Sequence, residues 1–275
     1  GKFKMKVAVV YDKERAKGNE RFVILLGRGL KKRGIETKAF IYPDERIFEC
    51  DAVVVRAVLP RLYEELSERG IPALNNRKTQ RIAGNKALTY DFLSSLSVPF
   101  IPYGKINEKP GAFPVIVKSV DGHGGTEVFL ANDENDYESL ISGIERTYRE
   151  KGNEASEKFI FQALADKPDD KRVYVIGGKP IVAMKRVNRY DFRSNYKLGG
   201  IASEAEVTEE ELSYIGKICD SLGCDYVGID FMTYGGKSVV NEIEDIVGCR
   251  MVYENTSVDI LDAYAEYISA ELSAK

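Results

Sequence analysis

Three carboxylates, Asp230, Glu242 and Glu244, stand close together in the segment CDYVGIDFMTYGGKSVVNEIEDIVG. The segment reads as two strands around a glycine turn, and the pleat fixes which side chains share a face. Val227, Ile229 and Phe231 form one apolar face of the first strand, Val239 and Ile243 that of the second. Burying both sets together predicts a loop with an odd number of residues, which Tyr234 to Gly236 supplies. Asp230, Glu242 and Glu244 then project from the opposite face. Acids on one face repel and call for a counter-charge. Exposed carboxylates paired with surface lysines are the bland alternative, but aspartate is disfavoured in strands this rich in Val, Ile and Phe. Hard oxygen ligands at this density suit Mg²⁺, or Mn²⁺, beside the phosphates of a nucleotide.

A second segment, PVIVKSVDGHGGTEVFL, ends an apolar strand in Lys118 and turns back through glycines. Glycines let backbone N–H groups approach an anion, and Lys118 supplies a point charge for an α- or β-phosphate. Taken alone, this segment reads as a plain glycine-rich hairpin. Other nucleotide motifs are missing: no GxGxxG follows the first strand, and Gly235 to Ser238 lacks the upstream glycine of a P-loop. A third segment concentrates Lys171, Arg172, Lys179, Lys185, Arg186, Arg189, Arg193 and Lys197 in an acidic protein. Arginine forks match phosphates and carboxylates. Arg172, Arg186 and Arg193 interrupt or follow apolar strands and read as functional; Lys179 and Lys197 read as solvated surface. His123 lies inside the glycine turn with no serine or cysteine placed beside it, so phosphate contact or exposure is expected rather than a triad.

The elements that must position these groups fall into two styles. Strands at Lys6–Asp12, Ile35–Ile41, Cys50–Val58 and Ile71–Leu74 alternate with helices at Glu20–Arg33 and Leu62–Arg69. This βαβ rhythm predicts a small parallel sheet. A helix from Thr79 to Ser95 leads to the prolines of VPFIPYG. Beyond it, strands at Phe113–Val120, Thr126–Ala131, Lys158–Leu164, Lys171–Ile176 and Pro180–Val187 are joined mostly by short turns, with Gly177-Gly178 suited to a tight hairpin. Helices are expected at Asp136–Tyr148, Glu209–Leu222 and Val258–Leu272. The fold class is therefore α/β plus α+β.

Composition narrows the partners. A net charge of −3 argues against a general nucleic-acid binder. No apolar stretch approaches the roughly 20 residues of a bilayer span, and the N-terminus lacks a secretory layout. Met5 reads as a natural start, so residues 1–4 carry no structural weight. Cys50, Cys219, Cys224 and Cys249 form no CxxC pair, and with one histidine a zinc site is poorly supplied. Four free thiols fit a reducing cytoplasm.

In combination these segments resemble the ATP-grasp superfamily and, within it, the RimK-like carboxylate–amine ligases, over about Lys78 to Asp262. NKALTYDFLSSLSVPFIPY resembles the family's helix with an ATP-binding lysine, PVIVKSVDGHGG its second lysine and glycine lid, and FQAL its adenine hinge. DDKRVYVIGGK resembles the D-x-R strand, FRSN with LGG the substrate loop, and VGIDF with NEIED the metal strands. The resemblance implies an N-terminal βαβ (pre-ATP-grasp) domain over 1–77. A connecting helix and central subdomain with the glycine lid would span 78–157, and a C-terminal subdomain with the metal site 158–275. It assigns ATP phosphates to Lys86 and Lys118, with the lid Gly122, His123, Gly124 and Gly125, and places adenine at Gln162 and Leu164. Asp170 and Arg172 take the D-x-R positions, Arg186 supports the nucleotide, and Arg193 and Asn195 hold the γ-phosphate or an acceptor carboxylate. Asp230 and Glu242 bind Mg²⁺, with Glu244 standing where the family has Asn; the family's S-x-P-G is replaced by Asp245 to Gly248. The implied activity is formation of an amide from a carboxylate and the amine of an amino acid or peptide, through an acyl-phosphate, with homo-oligomers common in the family. Two rivals are an ATP-binding regulatory or scaffold module without turnover, and a nucleotide-sugar or dinucleotide-binding domain, which rests on the N-terminal βαβ pattern alone and lacks the glycine fingerprint.

Overall fold

The computed structural model describes residues 5–122, 127–187 and 200–275. Four parallel strands open the chain: β1 (Met5–Tyr11), β2 (Ile35–Ile41), β3 (Ala52–Val55) and β4 (Ala73–Leu74), in the order β2-β1-β3-β4. Helices α1 (Glu20–Lys31) and α2 (Pro60–Glu68) cross between them, as the βαβ rhythm predicts. The sheet is buried from Val7 to Tyr11 of β1 and along all of β3, which explains their apolar, valine-rich runs.

The single helix expected from Thr79 to Ser95 is two. Helix α3 (Arg77–Ala83) ends at Gly84, and α4 (Lys86–Ser95) starts anew with Asn85 as its cap, whose side chain accepts from Leu88 N–H at 3.1 Å. A Gly-Asn step ends one helix and caps the next. The break sets Lys86 at the first helical position, where its own N–H donates to Val120 O at 2.8 Å.

A four-stranded sheet follows, ordered β5-β8-β6-β7 from β5 (Tyr103–Lys105), β6 (Val115–Ser119), β7 (Val128–Ala131) and β8 (Phe159–Ala163), with α5 (Glu134–Glu150) across one face. Strand β8, assigned by sequence to the C-terminal subdomain, pairs inside this middle sheet between β5 and β6. The last sheet is β11-β10-β9-β12-β13, built from β9 (Asp170–Ile176), β10 (Lys179–Val187), β11 (Ile201–Ala205), β12 (Tyr226–Tyr234) and β13 (Lys237–Glu244). Helix α6 (Glu209–Leu222) covers one face; α7 (Arg250–Asn255) and α8 (Ile260–Ser273) complete the chain. Helix α8 returns to pack on α1, so one core joins β1 and α1 to β9, β10 and β12. Among the described residues no helix is long and apolar enough to cross a membrane.

The β12–β13 hairpin departs from the expected odd-numbered loop. Tyr234 pairs with Lys237, leaving a two-residue turn, Gly235-Gly236, with φ of 58° and 75°. Such a turn favours positive φ at both positions. Parity is restored by a bulge: Asp230 pairs with Glu242 but Phe231 with Val240, leaving Asn241 unpaired. Val240 therefore joins Ile229, Phe231 and Ile243 in one core cluster, while the expected Val239, though also buried, stands outside it.

Candidate nucleotide and metal site

Four neighbouring strands bring the charged residues into one row. On β9, Asp170 and Arg172 are two apart and share a face; Arg186 on β10 sits opposite Asp170, and Asp230 on β12 opposite Arg172. Asp230 in turn faces Glu242 across the hairpin, and Glu244 lies one rung further along. The acids thus project together, as the pleat argument expects, although the bulge rather than the loop length achieves it. Atoms of Asp230, Glu242 and Glu244 lie within 4.8 Å of one another, and Asp230 is buried while the other two are half-buried.

The repulsion is answered by arginines. Arg172 clasps Asp230 through Nε to Oδ1 at 2.8 Å and Nη2 to Oδ2 at 2.9 Å, and reaches Glu244 Oε1 at 3.2 Å. Arg186 forks onto Asp170, with Nε to Oδ1 at 2.7 Å, and also donates to Asp230 Oδ2 at 3.0 Å. Gly228 leaves the space this needs: a Cβ there would stand 3.2 Å from Arg172 Cδ and 3.3 Å from Glu244 Cβ. Burial pushes the Asp170 carboxyl up to about 6, against the pull of Arg186. The same desolvation raises Glu244, and neighbouring Glu242 and Asp230 raise it further against Arg172.

Two lysines approach from the other side. Lys86 Nζ donates to Gly122 O at 2.6 Å and lies 3.3 Å from Glu242 Oε1. Lys118, buried on β6, donates to Tyr90 Oη at 3.1 Å; Tyr90 Oη lies 3.3 Å from Gln162 Oε1, and Gln162 Nε2 donates to Ile101 O at 2.7 Å. Desolvation lowers the pKa of Lys118, partly offset by Glu242. Desolvation also opposes ionisation of Glu242, yet Lys86 and Lys118 outweigh it and hold that carboxyl well below its usual range. A cleft lined by Ala83, Lys86, Thr89, Val120, Asn241, Glu242, Ile243 and Glu244 opens beside these groups. Four acids, Asp170, Asp230, Glu242 and Glu244, meet four bases, Lys86, Lys118, Arg172 and Arg186. Fixed charges with little water around them are suited to a polyanion and its cation. The donor set fits a hard divalent cation: clustered carboxylate oxygens, two of them on half-buried residues at the cleft.

Leu164 is half-buried just past β8, and Gly122 meets Lys86. His123, Gly124, Gly125, Arg189, Arg193, Asn195 and Lys197 lie outside the described residues. Of the remaining basic residues, Lys171 pairs with Glu211 at 2.7 Å, and Lys179 and Lys185 are exposed. All four cysteines are free and buried. Sequence reasoning missed Tyr90, the hydroxyl between Lys118 and Gln162. A signal existed, because Tyr90 lies one helical turn from Lys86 on the same face of α4.

Comparison with known proteins identifies the lineage. The pattern of the RimK-like ATP-grasp domain matches residues 101–268. A protein of Maridesulfovibrio salexigens named probable alpha-L-glutamate ligase is 32% identical over 162 residues, 58% of this chain and 51% of that one. N-acetylaspartylglutamate synthase A of Homo sapiens is 28% identical over 240 residues, 79% of this chain and 59% of that one. The chain thus spans about half the length of the first of these curated relatives. Among solved structures, D-cycloserine synthetase DcsG superposes with a TM-score of 0.71 at 17% identity, covering 97% of this chain and 99% of that one. ATP-grasp ligase PsnB, complexed with precursor peptide PsnA2 and AMPPNP, gives 0.70 at 19%, covering 99% and 98%. These likenesses establish the ATP-grasp fold, and the domain match over most of the chain establishes the lineage: this chain belongs to the RimK-like ATP-grasp family.

Proposed function

We propose that the protein is an ATP-dependent carboxylate–amine ligase. The observation that carries this reading is the charged row across β10, β9, β12 and β13, opening onto Lys86 and Lys118. In the first step a carboxylate oxygen of the substrate attacks the γ-phosphorus of ATP, and ADP leaves with the bridging oxygen. In the second, an amine nitrogen attacks the acyl carbon of the resulting acyl-phosphate, phosphate leaves with the carboxylate oxygen, and the amine gives up a proton. No side-chain nucleophile takes part; catalysis is positioning and charge neutralisation.

Lys86 and Lys118 would bind phosphates, Gly122 to Gly125 would cover them, and the backbone from Gln162 to Leu164 would take adenine. Asp170 and Arg186 buttress Asp230 from behind, while Arg172, Arg193 and Asn195 would meet the transferred phosphoryl group or the acceptor. Asp230, Glu242 and Glu244 would hold Mg²⁺, or Mn²⁺, which when bound supplies positive charge against the nucleotide phosphates. Relatives named as glutamate ligases and as N-acetylaspartylglutamate synthase favour an amino acid as the amine. PsnB, solved with a precursor peptide, keeps a peptide in play as the other substrate. The four free thiols favour a reducing cytoplasm, and the net charge of −3 weighs against a nucleic-acid partner; self-association would follow the family's habit. ADP release should depend on both a carboxylate and an amine, and Asp230→Asn or Glu242→Gln should abolish it. Undiminished turnover in either variant contradicts the metal assignment.

A further inference from the structure

The ladder of the metal hairpin ends at the pair Gly228–Glu244, so the outermost ligand sits on its last rung. Beyond that rung the two strands are bridged by a side chain from elsewhere. Asn75 follows β4 of the N-terminal sheet and is 4% exposed. Its Oδ1 accepts from Asp225 N–H at 2.7 Å and from Tyr226 N–H at 2.8 Å, at the start of β12. Its Nδ2 donates to Tyr226 O at 2.7 Å and to Asp245 Oδ1 at 3.0 Å, immediately after Glu244. By taking both the N–H and the C=O of Tyr226, the amide does what the missing residue of an opposite strand would do. Its backbone is held in turn: Tyr63 on α2 donates to Asn75 O at 3.1 Å. Arg56, just past β3, makes a second tie by donating from Nη1 to Val247 O at 2.7 Å.

We infer that Asn75 is a positioning residue for the metal site: as the hairpin's terminal rung, it sets the separation of the Asp230 and Glu244 strands and fixes both to the N-terminal domain. This rests on the metal reading of the three carboxylates. An amide is the one side chain that serves here, since it accepts from two N–H groups on one side and donates to a carbonyl and a carboxylate on the other. Groups that orient ligands from behind commonly change metal affinity about 10- to 100-fold when removed.

The test is Mn²⁺ binding to the full chain with AMPPNP, read by electron paramagnetic resonance, together with AMPPNP binding in EDTA. Asn75→Ala should weaken Mn²⁺ roughly tenfold and leave metal-free AMPPNP binding within about twofold, since Lys86 and Lys118 are untouched. Asn75→Ser, which keeps an acceptor but is too short to reach Asp245, carries the same expectation if the alanine variant cannot be purified. Asn75→Asp should weaken Mn²⁺ further by opposing two carboxylates, and N75D/D245N should recover part of the loss by returning an amide donor to the pair. A residue that merely docks domains would lower melting temperature without this rescue. Unchanged Mn²⁺ affinity in a folded Asn75 variant, or a double variant no tighter than N75D, overturns the inference. Failure of the wild-type protein to bind Mn²⁺ overturns the metal reading itself.

Discussion

Removing Arg172 should expose the repulsion among the carboxylates that this arginine holds in check. Arg172→Met keeps the apolar stem beside Gly228 but deletes the two contacts to Asp230, at 2.8 and 2.9 Å, and the 3.2 Å contact to Glu244. Asp230 is 2% exposed, so water cannot replace the lost donors. Breaking a buried ion pair from one side costs about 3–5 kcal/mol. Arg186 still reaches Asp230 Oδ2 at 3.0 Å, which places the expected loss at the lower end, about 3 kcal/mol. Urea unfolding at pH 7 in EDTA, compared through midpoint and slope, reads it directly. Saturating Mn²⁺ should narrow the gap, because carboxylates freed of the competing guanidinium bind the cation more tightly than in wild type, and mass action then stabilises the variant more. A variant within about 1 kcal/mol of wild type in EDTA, where the buried-pair cost above is expected, would refute the reasoning.

Three other outcomes follow from the same structure. Burial raises the Asp225 carboxyl to about 6, with Tyr267 as its hydrogen-bond donor. The folded state therefore holds the proton more tightly than the unfolded chain, and this group's contribution to stability falls as pH rises from about 4 to 6. Asp225→Asn should remove that dependence and stabilise the protein by up to about 3 kcal/mol at pH 7; coincident pH–stability curves would contradict it. Lys118→Met should weaken ATP binding at least about tenfold, through loss of a charge-assisted contact, measured by calorimetry on folded protein. Gly236→Val, at φ 75°, should cost about 1–3 kcal/mol of stability, and a silent substitution would mean the turn is not as described.

Much of the frame was legible because local chemistry agreed with it. Helix α6 keeps its expected bounds because Thr208 and Glu211 form a reciprocal capping box and Gly223 closes it in the left-handed conformation. Strand β2 also has its expected limits. Strands β5 (YGK) and β11 (IASEA) escaped notice because they carry no apolar run, and helix α7 because six residues are too few to show a helical period. The common face of Asp230, Glu242 and Glu244 was readable from alternation, but the Asn241 bulge that produces it was not, since a one-residue slip leaves no mark in composition. Lys118 and Arg172 stood out as charges set against apolar strands, whereas Lys86 came only with the family resemblance. Tyr90 and Asn75 did not, because their roles come from partners far away in sequence: Gln162 for one, Tyr226 and Asp245 for the other.

The central claim is that a carboxylate oxygen attacks the γ-phosphorus of ATP and later leaves with phosphate. It is tested most directly with a carboxylate substrate labelled with ¹⁸O, incubated with ATP, amine and the wild-type protein, followed by mass spectrometry of the phosphate and the amide. The account predicts one labelled oxygen in each phosphate released, matched to amide formed, and none with Asp230→Asn. Amide formed alongside unlabelled phosphate would contradict it.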